Sequence, residues 1–413
     1  MVTVKPFAAL RPTQKRAAQV AALPYDVMSS AEAREMVVGN PYSFLHVDKA
    51  EIDLPLKTGL YDDIVYATAA ANLNKLAADG ILISEDKPCY YLYRQIMDGR
   101  AQCGIVACSS VDDYEAGRVK KHELTRADKE ADRIRHVDTC DAQTGPIFLA
   151  YRQRPALKEL MELVMAEAPL YDFVSGGVQQ TVWRIAEAER IELIGSEFAA
   201  LPATYIADGH HRCASAARVC VKRRAEHPDY DGTEEFNFFL SVLFPDEQLH
   251  IMDYNRVVKD LNGYSEAEFM AQAATVFDIA EVAAEADPKP QQRHSFAMYM
   301  AGKWYKLTLK DAPAADASPV DQLDVSLLQQ RLLAPILGIG DPRTDERISF
   351  IGGIRGLKEL VRLVDGGAAV AFALYPTSIE ELFAIADAGL IMPPKSTWFE
   401  PKLLSGLFIH PLK

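Results

Sequence analysis

The stretch "TYIADGHHRCASAARVC", residues 204–220, decides how the chain is read. Its first residues, Thr204 to Ala207, are β-prone and lead to Asp208, Gly209 permits a tight turn, and from His210 the alanine content and spacing are those of a helix. The pattern predicts a strand, a glycine turn and a helix. At such a junction the first backbone N–H groups of the helix lack intrahelical partners, so donors and dipole together favour an anion. His210, His211 and Arg212 add side-chain donors there, and a phosphate fits. Zinc fits less well. Neighbouring helical residues point about 100° apart, no HExxH spacing is present, and no Cys–His cluster supports a closed tetrahedral site. The plain alternative is that Asp208 caps the helix and the histidines are ordinary surface or core residues.

Around this junction, strand-like and helix-like segments alternate. Residues 61–79 carry apolar side chains at helical spacing. Two β-rich runs, 89–97 and 102–111, flank Asp98-Gly99, a pair suited to a tight hairpin. A strand is expected at 146–152, a helix near 155–166, two short strands within 171–187 and a helix near 188–200. The apolar run "FNFFLSVLF", 236–244, reads as a strand covered on both faces. Further along, helices are expected at 265–277, 321–337, 354–364 and 378–388, a strand pair at 295–309 and a strand at 369–375. Loops are expected at 286–293 and 311–319 from their proline and polar content. The fold class is therefore α/β with mixed sheets, divided softly near 255–265 into a region 1–260 and a C-terminal α+β lobe 261–413.

Composition narrows the function. The balance of 44 basic against 58 acidic residues, a net charge of -14, argues against generic nucleic-acid binding, which needs a basic face. The six cysteines form no CxxC pair and suit reduced, buried thiols. The N-terminal stretch lacks an uninterrupted apolar run and no later segment reaches membrane-spanning length, so no membrane association and a cytoplasmic location are expected.

A second constellation lies in "GRVKKHELTRADKEADRIRHVD", 117–138. If helical from about Thr125, it places Arg126, Lys129, Glu130 and Arg133 on one face, with His136 three residues beyond Arg133. A solvated face laced by ion pairs such as Arg126 with Glu130 is the plain reading. Glu123, beside His122 and ahead of the helix, is a candidate general base if nearby positive charge and partial burial tune it. The loop "MPPKSTWFEPK", 392–402, offers Lys395, Ser396, Thr397 and Lys402 to a phosphate or substrate, or else packs Trp398 and Phe399 onto the core. "LPYDVMSSAEARE", 23–35, predicts a helix capped near Ser29 or Ser30, with Tyr25 and Asp26 as candidate lining residues. Asn255 and Arg256, at an expected strand end, could contact a phosphate or carboxylate.

"HELT" at 122–125, followed far along the chain by "DGHHR" at 208–212, resembles the two boxes of the ParB and sulfiredoxin superfamily, in particular its free serine kinases. As a whole the chain resembles a widespread bacterial family of unknown function built around the same boxes. "PFAALRP", "LPYDVMS", "NPYSFLHV", "KKHELTRADKEADR", "DGHHR" and "MPPKSTWFEPKLLSGLFIHPL" carry that resemblance over nearly the whole length. The resemblance implies a ParB/sulfiredoxin-like core enlarged by insertions, in a nucleotide-binding region 1–260 with an N-terminal extension, and a C-terminal lobe whose final loop returns to the site. It implies that Glu123 deprotonates a substrate hydroxyl and that Asp208 holds the reacting group or a magnesium ion. Gly209, His210, His211 and Arg212, with Arg126, Lys129 and Arg133, would bind ATP or ADP, and His122, His136, Lys395, Ser396 and Thr397 would face the substrate. The implied reaction is phosphate transfer to a small hydroxyl compound, with free L-serine giving O-phospho-L-serine as the best match. A nucleotide hydrolase and a nucleotide-binding regulatory or DNA-associated module are the alternatives, and a homodimer is left open.

Overall fold

The computed structural model describes every residue except Ala315, so that residue of the expected 311–319 loop lies outside the described residues. The chain forms two compact units, one of residues 1–249 with 401–413 and one of residues 250–400.

The first unit is built on a nine-stranded sheet. In chain order its strands are β1 (Val4–Lys5), β2 (Tyr90–Met97), β3 (Arg100–Ser110), β4 (Val119–Lys120), β5 (Ile147–Tyr151), β6 (Tyr171–Ser175), β7 (Val178–Ile185), β8 (Thr204–Asp208) and β9 (Phe238–Pro245). They lie in the order β4-β8-β5-β9-β3-β2-β7-β6, with β1 paired to β3. The β2–β3 hairpin turns at Asp98 (φ 50°) and Gly99 (φ 78°), the left-handed pair that matches the twist of the flanking strands. Its helices include α1 (Asp63–Ala78), α2 (Ala127–Cys140), α3 (Pro155–Met165), α4 (Ala188–Ala199) and α5 (His210–Glu226).

One face of this sheet packs Leu92, Ile105, Leu149, Ile206 and Leu243 against apolar residues of α3, α4 and α5, among them Leu160, Phe198 and Cys213. On the other face Phe408 lies against Tyr91 and Tyr93, with ring centroids 5.0 and 5.8 Å away. Both faces are covered, which is why β9, wholly buried between β5 and β3, reads as a continuous apolar run. Helix Ser30–Met36 begins at Ser29, whose hydroxyl and backbone exchange bonds with Glu32 in a capping box. All six cysteines are free thiols.

The second unit holds a six-stranded sheet of β10 (Tyr254–Val258), β11 (Phe277–Glu281), β12 (Ser295–Met300), β13 (Lys303–Leu309), β14 (Ile348–Gly352) and β15 (Val370–Leu374). Its order is β11-β13-β12-β15-β10-β14, and every pairing is antiparallel. Helix α6 spans Glu266–Val276, α7 spans Gly356–Asp365 and α8 spans Ile379–Asp387; α7 packs Leu360 and Val364 onto Val257, Ala297 and Ala371. The helix expected over 321–337 is instead an α-helix, Asp324–Leu328, continued by a π-helical turn, Gln329–Leu333. Asn255 and Arg256 lie inside β10 rather than at its end. Asn255 Oδ1 accepts from the Leu374 amide of β15 at 3.0 Å, and Arg256 donates to the Lys395 carbonyl in the loop before Thr397 at 3.1 Å. Among the described residues no helix is long and apolar enough to cross a membrane.

Candidate functional site

Strand pairing closes the 84-residue gap between Glu123 and Asp208. β4 and β8 are adjacent and parallel, with Val119 opposite Thr204 and Lys120 opposite Tyr205, so the chain leaves both strands at the same edge of the sheet. The segment after β4 is "KHEL", and the segment after β8 is the glycine turn and α5. β8 carries a bulge against β5: Ile206 faces Leu149 and Asp208 faces Phe148, leaving Ala207 extra. A bulge re-aims the side chain that follows it, and here that side chain is Asp208. Gly209 then takes φ 94°, ψ 30°, a left-handed conformation that costs a residue with a Cβ, and the helix begins at His210. The strand, glycine turn and helix read from the sequence are all present.

The two histidines meet the loop after β4. The Arg126 amide donates to His211 Nε2 at 3.0 Å, and the His122 amide points at His210 Nε2 at 3.4 Å. His210 Nδ1 lies 3.9 Å from the half-exposed Glu123 carboxylate. The His122 and His210 rings pack edge to face, centroids 4.5 Å apart. Burial pushes His122 down to about 4 and His210 well below the usual histidine range, so both rings are neutral near pH 7.

Asp208 takes a 2.8 Å salt bridge from Lys402 and a 2.8 Å bond from the Gly209 amide. Burial pushes its carboxyl upward, but Lys402 and the Gly209 N–H outweigh this and hold it below the usual range. Lys402 is itself anchored, because its carbonyl accepts at 2.9 Å from buried Gln95, which in turn accepts from buried Gln102. Among the described residues no group of three or more His, Cys, Asp or Glu converges as a metal-binding set.

Arg212 points the other way, into the protein. Its guanidinium lies 3.7 Å from buried Asp48, and neither Arg212 Nη2 nor Asp48 Oδ2 has a hydrogen bond. The Asp48 Oδ1 atom accepts from Thr144 at 2.7 Å. Gly145 makes room for the arginine, since a Cβ there would stand 1.5 Å from Arg212 Nη1. Arg133, paired with Asp132 at 2.8 Å, stacks 4.0 Å above the Tyr25 ring, with Arg212 5.5 Å from the same ring. Burial pushes the Tyr25 phenol up to about 12. Against Asp48, burial is opposed by Arg212, His136 and Arg133, and the carboxyl stays below its usual range. Two cavities adjoin this cluster. One is lined by Arg133, His136, Thr144, Gly145 and Arg212, and another by Tyr25, Asp48, Tyr61, Lys129 and Arg133.

Of the residues singled out from sequence, Glu123, His122, Arg126, Asp208, Gly209, His210 and His211 gather at the edge beyond β4 and β8. Arg212, Arg133 and His136 form a buried layer, where His136 Nε2 also meets the Val47 carbonyl at 3.1 Å. Lys129 stands apart at the second cavity, its ammonium 3.4 Å from the Tyr61 hydroxyl. The pair expected between Arg126 and Glu130 does not form. α2 starts at Ala127 rather than Thr125, so Arg126 precedes the helix and reaches Asp128 at 2.9 Å, while Glu130 accepts from Thr125 at 2.9 Å. Lys395, Ser396 and Thr397 belong to the second unit, where buried Ser396 donates to the Pro393 carbonyl at 2.7 Å. Asp48, Thr144 and Gly145 were not signalled. Asp48 falls one residue past "NPYSFLHV", and nothing in its local sequence marks a buried carboxylate.

A mixed α/β fold with a glycine-turn helix start facing a glutamate-bearing loop is the class this geometry defines. The chain belongs to the family described as "Protein of unknown function (DUF1015)", whose model matches residues 4–326. No curated protein matches the chain. Among solved structures it is similar to a free serine kinase variant in complex with AMP, at 15% identity over 72% of this chain and 87% of that one, TM-score 0.35. A second variant of that kinase, in complex with ADP, matches at 16% identity over 72% of this chain and 87% of that one, TM-score 0.34. SbnI with a C-terminal truncation, from Staphylococcus aureus, matches at 13% identity over 72% of this chain and 85% of that one, TM-score 0.38.

Proposed function

We propose that the chain is a nucleotide-dependent phosphotransferase acting on a small hydroxyl substrate, with free L-serine and ATP or ADP as the best-matched pair. The observation that carries this reading is the approach of Glu123 to within 3.9 Å of His210, at the very start of α5. A base thereby stands beside a helix N-terminus suited to phosphate, and phosphoryl transfer depends mainly on such positioning and charge neutralisation. In this reading Glu123 takes the proton of the substrate hydroxyl as its oxygen attacks the terminal phosphorus, and the nucleotide departs with the bridging oxygen. The backbone N–H groups after Gly209 hold the phosphates, and Arg212, turned inward to Asp48, steadies the start of α5 from behind. A magnesium ion, when bound with the nucleotide, would neutralise phosphate charge, and Asp208 would be the carboxylate that shares it. The resemblance of "HELT" and "DGHHR" to the boxes of the ParB and sulfiredoxin superfamily supports the same roles.

The test is incubation with magnesium, ATP or ADP and a panel of hydroxy amino acids, read by mass spectrometry for the phosphorylated product. Glu123→Gln is expected to lose about 10²- to 10⁴-fold in turnover, the usual contribution of a positioned base. Undiminished turnover by Glu123→Gln would remove Glu123 as the base. Hydrolysis without a phosphorylated acceptor would mark a hydrolase, and tight nucleotide binding without turnover a regulatory module.

A further inference from the structure

Adjacent histidines at the start of a helix are an odd choice for a single ligand, since their side chains diverge by about 100°. Each meets a different point of one loop. The half-buried His211 ring accepts the Arg126 amide at 3.0 Å, and the inward His210 ring faces the His122 amide at 3.4 Å. Between these two points lies Glu123. The buried His122 ring packs on His210, whereas Leu124 is exposed, the Thr125 hydroxyl is turned forward to Glu130, and α2 begins with no side-chain cap. We propose that His210 and His211 form a clasp that fixes residues 122–126, and with them the Glu123 carboxylate, against the start of α5.

The clasp requires both Nε2 atoms to be acceptors, which places the ring protons on Nδ1. For His210 that proton lies on the Glu123 side, with Nδ1 3.9 Å from the carboxylate, so the ring that grips the loop backbone also stands beside Glu123. Further along, the helices are joined independently, because Ser215 of α5 reaches the Glu130 carbonyl at 3.4 Å and Arg218 reaches the Glu130 carboxylate at 3.4 Å. Loss of one histidine acceptor therefore frees the loop without detaching α2. These are positioning residues: they act on Glu123, not on substrate. Their effect on turnover rests on the phosphotransferase reading, whereas their grip on the loop does not.

The experiment is site-resolved amide hydrogen exchange on the full chain, comparing wild type with His211→Phe and His211→Gln. Phenylalanine keeps the bulk and removes the acceptor, whereas glutamine keeps an acceptor. The expected result is exchange at the Arg126 amide at least about 10-fold faster in His211→Phe, largely restored in His211→Gln, with exchange in the core of α5 unchanged. Phosphotransfer, where present, would fall in kcat with nucleotide affinity retained. Wild-type exchange at Arg126 in His211→Phe would overturn the clasp, as would equal acceleration in both variants, which would point to ring packing instead. The expected exchange pattern in a protein that phosphorylates no acceptor would leave the clasp standing and remove the phosphotransferase reading.

Discussion

The two sheets differ in how their strands pair. In the second unit every strand pair is antiparallel, so neighbouring strands send their C-terminal ends to opposite edges. In the first unit β4 runs parallel to β8, and β5 parallel to β9. The β4–β8 pair is only two residues long, yet it brings "HELT" and "DGHHR" out at one edge from far apart in sequence. That arrangement has an electrostatic counterpart. The first unit buries Asp48, Arg133, His122, His136 and His210 close to this edge, while Asp324 is the buried carboxylate that stands out in the second.

Acid is the strongest way to separate the two. His122 and His136 are each pushed down to about 4 by burial, so the folded state binds fewer protons than the unfolded one between that value and the ordinary 6.5. Their contribution is complete above 6.5 and is lost as the pH falls towards 4, on the order of 3 kcal/mol for each. His46, raised by Asp53, opposes this in part. Asp324 has the reverse sign. Burial, opposed by the His294 amide, pushes it up to about 7, so the folded second unit binds more protons and gains stability as the pH falls from 7 towards 3.8. Segment-resolved hydrogen exchange at pH 7 and pH 5, corrected for intrinsic rates, is expected to show protection falling in β5, β8 and α5 and rising around 324–328. Parallel loss in both units would break the comparison.

Gly145→Ala comes next. The added Cβ would fall 1.5 Å from Arg212 Nη1 and 2.7 Å from Ser405 Oγ, so the guanidinium must leave Asp48. Stranding a buried carboxylate costs about 3 kcal/mol or more, to be read in chemical denaturation. The cost is expected to fall sharply in the double variant with Asp48→Asn, which removes the stranded charge.

What the sequence disclosed and what it hid divide along a physical line. The Asp98-Gly99 hairpin, the buried run of β9 and the Asp208-Gly209-His210 junction are local, because each depends on backbone preferences or on the period of apolar residues within a few positions. The pairing of Val119–Lys120 with β8 is not local, since two residues carry no period. For the same reason Gly145 gave no signal: its φ is not in the left-handed region, and its need for hydrogen in place of Cβ arises from Arg212, 67 positions away. The Arg126–Glu130 expectation failed because the helix begins two residues late, and an i, i+4 pair needs both members inside the helix.

In the second unit, Asp324→Asn sharpens the contrast from the other side. Above pH 7 the wild-type carboxylate is ionised in a buried site where both oxygens accept from the same His294 amide, at 2.9 and 3.1 Å. Asparagine keeps an acceptor without the charge. Stabilisation of about 1–3 kcal/mol at pH 8, vanishing near pH 4, is expected in denaturant titrations. No change at pH 8 would mean that the charge is already solvated there.

The smallest effect on stability, and the most specific to the site, is that of Lys402→Met. Its partner Asp208 keeps 44% of its side-chain surface exposed, so the pair is screened and its loss costs about 1 kcal/mol or less. The titration of Asp208 is the sharper measurement. With the ammonium removed, the Gly209 amide is left to favour the charged form, and the carboxyl is expected to titrate at higher pH than in wild type. Side-chain carboxyl NMR would record this directly. An unmoved titration would show that the Gly209 N–H alone keeps Asp208 ionised, and that the lysine carried by residues 401–413 is not what fixes the charge at the start of α5.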